Sequence, residues 1–241
     1  MNTPEIPLAP PPLPRREHFK FEPMRGDPKP LLLLENLLKH PGRIIHTLHR
    51  ANLAAPAIWF LCFALGGMAL YGVAVGSLTG GMQLWIAPAK LVLGTLFSIL
   101  ICLPSLYIFS CLGGSDIRLL AVAGGLAAAV CLSSLLLIGF APVAWIFSQS
   151  TNSVAFMGTT HLLFWLIGLF FGLRLIGGMS RFRGEKTRGH LKTWSVIFIL
   201  VCLQMTTTLR PIIARSDRFL PGEKKFFLTH WLESLGGKPD R

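Results

Sequence analysis

The sequence predicts an all-α integral membrane protein, a bundle of about five transmembrane helices with interfacial amphipathic helices at both ends. Three observations carry this. Hydrophobic residues make up 52% of the 241 positions and charged residues only 14%, against about a quarter charged in soluble domains. The charges gather in a few blocks, which leaves runs of the roughly 20 apolar residues needed to cross a bilayer core. Those runs are apolar on every side, which a soluble core helix does not require.

Residues 1–30 form the first unit. Pro7, Pro10, Pro11, Pro12, Pro14, Pro23, Pro28 and Pro30 fix φ and remove backbone donors, so an extended or polyproline-like cytoplasmic tail is expected. No apolar signal-peptide core is present, so this tail is expected to stay in the mature chain. Pro11, Pro14 and Arg16 spell PxxPxR, a pattern that peptide-binding domains read; a stiff spacer or a partner-wrapping arm needs no such reader. Residues 31–50 are too charged to span, and Pro41 with Gly42 divides them into two short helices. With Leu31, Leu34, Leu38, Ile45 and Leu48 on one side, they read as an amphipathic anchor along the membrane surface.

The transmembrane domain follows over residues 51–213, with spans at about 54–77, 84–112, 117–147, 153–179 and 193–213. The second and third exceed the minimum, implying tilt or an emergent last turn. Pro88, Pro104 and Pro142 can kink them where neighbouring helices cover the freed carbonyls. Residues 214–241 are a basic tail in which Phe226, Phe227, Trp231, Leu232 and Leu235 predict a short amphipathic helix.

The net charge of +12 flanks the apolar runs, where Lys and Arg set topology and contact anionic lipids; nucleic acid is not the expected partner. With Arg118 counted with the GGSD turn it follows, loops with and without Lys or Arg alternate. The N-terminus, the GGSD turn and the loop carrying Arg181, Arg183, Lys186, Arg188 and Lys192 are therefore expected in the cytoplasm, and the C-terminus outside. The expected location is a cell membrane, of bacterial inner-membrane type. Arg215, Arg218, Lys224 and Lys225 strain the rule, so either the tail is translocated or the last run does not cross. Full crossing is preferred, because that run has no internal Pro or Gly to turn it back.

Reactive groups at depth are few. None of the eleven Asp and Glu residues lies within an expected span, which removes the commonest coupling device of ion-driven transporters. No HExxH, carboxylate pair or nucleophile turn is present, so the chain reads as no enzyme and as having neither cofactor nor metal. Cys62, Cys102, Cys111, Cys131 and Cys202 fall in apolar runs without a CxxC and read as packing residues. His46 and His49 are spaced to share a helix face, but without a third ligand nearby they read as surface residues.

His161, the one histidine in a span, would either ligate an iron or pigment or hydrogen-bond a Ser, Thr or carbonyl of another helix. Lys90, Arg118 and Arg174, near span ends, are expected to snorkel to head groups. Gln204, Thr206, Thr207, Thr208 and Arg210 make the last span the most polar, a candidate partner or cavity face, or a set of internal hydrogen bonds. Gly72 with Gly76, and Gly168 with Gly172, form GxxxG pairs, and Gly124, Gly125, Ala128 and Ala129 line the third span. They allow close helix packing, within the bundle or with another subunit.

The segment broken at His40-Pro41-Gly42, five closely connected spans, and the turn Leu112-Gly113-Gly114-Ser115-Asp116 before Ile117-Arg118-Leu119-Leu120-Ala121 resemble the Yip-domain membrane proteins over about residues 36–213. The acidic and Gly-Pro signatures of eukaryotic members are missing, so Rab-GTPase binding is not implied. Similarity to bacterial members implies a multi-pass protein working beside other membrane components. The expected function is a non-enzymatic accessory or scaffold subunit, with other membrane subunits and anionic lipids as partners. A transporter or channel component with a polar last span is the alternative.

Overall fold

In a computed structural model, the structure describes residues 21–24, 26, 29–49, 54–77, 81–114, 117–150, 154–182 and 188–208. Among them are seven helices and no strand: α1 (Pro30–Lys39), α2 (Pro41–Thr47), α3 (Ala54–Gly76), α4 (Gln83–Leu112), α5 (Leu119–Ser150), α6 (Val154–Phe182) and α7 (Arg188–Thr208). The PxxPxR motif, residues 209–213 of the expected last span, and the tail at 214–241 with its amphipathic segment lie outside the described residues.

Helices α3 to α6 are long and apolar enough to cross a membrane, which makes the chain a multi-pass membrane protein of all-α class. The fifth apolar helix, α7, begins at Arg188 instead of residue 193, drawing part of the charged loop into its first turn. Its 21 residues extend about 31 Å at 1.5 Å per residue, although its apolar part is shorter, Gly189–Met205. α4 runs on through Pro88 and Pro104, and α5 through Pro142. α4 stops at Gly113-Gly114, whose N–H groups donate to the carbonyls of Phe109 and Cys111. Gly114 has φ +85°, a left-handed conformation that glycine adopts without steric cost.

The helices assemble around α5, the most buried of the four long ones, which packs on α3 and α6; α4 lies against α3 and carries α7. Small residues set these distances. A Cβ on Gly172 would fall 2.6 Å from Ser133 Oγ and 2.7 Å from the Ala129 carbonyl, and one on Gly168 would fall 3.1 Å from the Ser133 carbonyl. Gly67 faces Ser134 in the same way, and a Cβ on Gly72 would meet the Pro88 backbone of α4. Gly168, Gly172 and Gly72 therefore work inside the bundle, resolving the choice the sequence left open, and Gly76 is buried too. Ser133 Oγ bridges the α5–α6 contact by donating to the carbonyls of Ala129 (3.0 Å) and Gly168 (2.8 Å). Trp194, 0% exposed, ties α7 to α4: its Nε1–H donates to Ser105 Oγ (3.1 Å) and the Cys102 carbonyl (3.3 Å), and its ring stacks on Phe198.

The segment at 31–50 is packed differently from the surface anchor the sequence predicts. Pro30 and Pro41 each open a helix at its first turn, where the missing N–H is harmless. From that register Leu33, Leu37, Ile44, Ile45 and Leu48 are buried in the protein core, while Leu31 and Leu38 face outward. Gly124 leaves the space against which Leu48 packs. The two helices thus cap one end of the bundle, and Phe182 of α6 packs against Phe21 and His49 there.

These contacts make the two faces of α6 unequal. Gly172→Leu should lower thermal stability in detergent by about 1–3 kcal/mol through overpacking. Gly177→Leu, whose added Cβ meets nothing within 4 Å, should change it by less than about 0.5 kcal/mol.

Candidate functional site

The expected polar face of the last span is only partly within view. Gln204 is half-buried on α7, Thr207 and Thr208 close the helix with side chains outside the described residues, and Arg210 lies beyond them. The same helix contributes Cys202 and Met205 to an internal cavity.

His161 is 8% exposed, and its partner is a residue the sequence reading passed over. Its Nδ1 and the Tyr71 hydroxyl are 2.6 Å apart in a hydrogen bond between α6 and α3, with the rings edge to face. The expected Ser, Thr or carbonyl is thus replaced by a phenol. Its Nε2 is buried without a partner among the described residues.

Lys90 departs furthest from expectation. Arg118 and Arg174 are exposed, as snorkelling requires. Lys90 is 1% exposed and turned into the bundle. It lines a cavity of about 50 Å³ reached by all five long helices: Met68 from α3, Lys90, Thr95 and Ser98 from α4, Ser133 from α5, Trp165 from α6, and Cys202 from α7 among them. The reason is local. Lys90 follows Pro88, which α3 approaches closely at Gly72, so this part of α4 faces its neighbours and not the lipid.

Successive helices run antiparallel, so α3 ends where α4 and α6 begin. Tyr71 lies five residues before the end of α3, and Lys90 and His161 each lie seven residues into their helices. At 1.5 Å per residue all three sit about 8–10 Å inside the same end of the bundle. Met68 and Trp165 line the cavity one turn from Tyr71 and His161, so the pair adjoins the lysine cavity.

The remaining candidates are dispersed. Cys102, Cys131 and Cys202 are buried, Cys62 and Cys111 exposed, and none is in a disulfide. His46 and His49 both pack near Phe182. No group of three or more His, Cys, Asp or Glu residues placed to hold a metal occurs among the described residues. Comparison with protein-family models, with curated proteins and with solved structures finds no match.

The phenol–imidazole pair has a measurable signature. Tyr71→Phe leaves His161 Nδ1 buried without its partner and should cost about 1–3 kcal/mol of thermal stability in detergent. Adding His161→Leu to that variant should recover part of the loss, because both polar groups are then gone. A double variant weaker than the sum of the two single ones would contradict this coupling.

Proposed function

We propose that this chain is a non-enzymatic accessory or scaffold subunit of a larger membrane complex, which holds a partner's transmembrane helix against its outer face. The observation that supports this most is a groove of about 690 Å³ with α3 as its floor and α4 and α5 as its walls. Cys62, Gly66, Leu70 and Val73 follow one another along the exposed face of α3, at the spacing by which one helix seats another. From Cys62 to Val73 that stripe is about 17 Å long. Gly66 stands near its middle with nothing within 4 Å of where a Cβ would be, leaving room for a second backbone to approach. Trp85, 79% exposed, stands on the α4 wall, and tryptophan is among the side chains enriched where proteins meet.

Other features agree with this reading. None of the eleven acidic residues falls within α3 to α7, so acid–base catalysis by carboxylates has no groups at depth. In this reading the Pro-rich segment before α1 would serve a partner on the cytoplasmic side, the orientation that the Lys and Arg distribution favours. Kinship with the Yip-domain proteins and a bacterial inner membrane as the location belong to the same proposal. Anionic lipids would meet the basic blocks that flank the helices.

A second reading, a transporter or channel component, draws its support from the lysine cavity beside α7. Reconstituted flux unaffected by Gln204→Leu, Arg210→Leu and Lys90→Met would remove it.

A photo-crosslinker placed at Leu70 in native membranes should give one defined protein adduct, which Gly66→Trp abolishes by filling the groove. The same probe at Leu100, exposed elsewhere on α4, should give none. Adducts with lipid alone, or protein adducts indifferent to Gly66→Trp, would overturn the docking proposal.

A further inference from the structure

Sulfur gathers around the internal cavity. Met68 of α3 and Cys202 and Met205 of α7 all line this space of about 50 Å³. Cys202 and Met205 are three residues apart, so they share one face of α7. Met68 is 4% and Cys202 8% exposed. Sulfur side chains often fill gaps in cores, but these three border a gap that the packing leaves open. Contacts fix their relative depth. Gly72 meets Pro88 of α4, which sets Met68, four residues earlier on the antiparallel α3, level with Val92. Trp194 bonds to α4 at Cys102 and Ser105, and Ser98 is a hydrogen-bond neighbour of Cys202, so Met205 stands level with about Gly94. From Val92 to Ser98 the three sulfurs span roughly 9 Å of depth, a distance that flexible thioether side chains can close.

The donor set narrows the choice of occupant. Thiolate and thioether are soft ligands, which favour copper(I) over magnesium, calcium or manganese. Structural zinc takes four Cys or His ligands, and this lining holds a single Cys and no His. Carboxylates, which hold hard cations, are absent from α3 to α7. Lys90 bears on the charge. It lines the same cavity, so a divalent ion would add charge beside a basic side chain. A monovalent ion adds none: the Cys202 thiol gives its proton to solvent as the Sγ–metal bond forms, one positive charge leaves as one enters, and no electron is transferred. A volume of one to two waters, about 30 Å³ each in the liquid, admits a single dehydrated ion among these sulfurs and nothing larger.

We propose that Met68, Cys202 and Met205 form a binding site for one soft monovalent metal ion of the copper(I) class, with silver(I) as its redox-inert probe. The site is inside the bundle, so it stands or falls separately from the groove on the outer face.

The test uses the full chain in mild detergent, with the exposed Cys62 and Cys111 replaced by Ser. This protein should bind one silver(I) ion per chain and release one proton as it does so. Silver should raise the melting temperature saturably, by about 3 °C at roughly tenfold excess over half-saturation. Met68→Leu and Met205→Leu, which nearly keep the volume, should each weaken binding by about tenfold or more, since even the outer partners of a bound metal are worth that much. Cys202→Ser should abolish the proton release and lower occupancy to background, whereas Cys131→Ser, at a buried thiol of α5 outside the lining, should change neither. Loaded with copper(I) under reducing conditions, the same protein should show sulfur neighbours alone around the metal by X-ray absorption. Excess zinc should not displace the ion. Absence of a silver-bound form, binding indifferent to both Met→Leu variants or surviving Cys202→Ser, displacement by zinc, or nitrogen and oxygen neighbours in the spectrum would each overturn the proposal.

Discussion

Close approach of α5 to both α3 and α6 is the constraint on which the other contacts depend. In a bilayer the lipid tails are as apolar as the side chains, so burying Leu or Phe gives little net drive for helices to associate. What remains is dispersion at short range and hydrogen bonds that reach across. Both need backbones near enough to touch. Ala129, Ser133 and Ser134 on α5 meet Gly168, Gly172 and Gly67 with space for no further Cβ. At that distance Ser133 can donate to a carbonyl of the neighbouring helix, which a bulkier α6 would put out of reach. The Tyr71–His161 bond spans α3 and α6, helices whose separation α5 fixes by packing on both.

Around this close-packed centre the outer elements are held by larger groups. Trp194 supplies the α4–α7 contact with one aromatic ring and one N–H. An indole suits this place because its body is apolar and its single donor finds an acceptor. The N-terminal cap is held by aliphatic side chains fitted over the end of α5. The cavity at Lys90 lies where small and large contacts meet, between the tight Gly72–Pro88 approach and the bulk of Trp165 and Phe198.

The helical spans were legible in the sequence because hydropathy over about 20 residues is a local property. Four ranges agree with the helices to within three residues at each end. The break at His40-Pro41 was equally legible, since Pro41 dictates it. Which side of each helix faces protein was not. Leu31 and Leu38 look no different from Leu33 and Leu37 until the bundle above them is known. Lys90 stands close enough to a span end to pass as a snorkelling residue, and only the helices around it turn it inward. Tyr71 could have been found: a phenol in an apolar run needs a polar partner, and a span histidine was available. The polar stretch after Gln204 was readable as composition, but its side chains past Met205 lie outside the described residues.

The order of contacts along the chain also bears on how such a bundle is made. Among the long helices α3 and α4 come first in the chain, yet the principal partner of α3 is α5, and the main partner of α4 beyond α3 is α7, the last of the described helices. Until α5 is inserted, Gly67 of α3 lacks the Ser134 it packs against; until α7 arrives, Ser105 lacks the indole donor that joins it to Trp194. The bundle therefore cannot mature strictly from its N-terminus onward. Its first hairpin must wait, unfinished, for helices made later, and during that interval it is open to insertion factors or to a partner subunit.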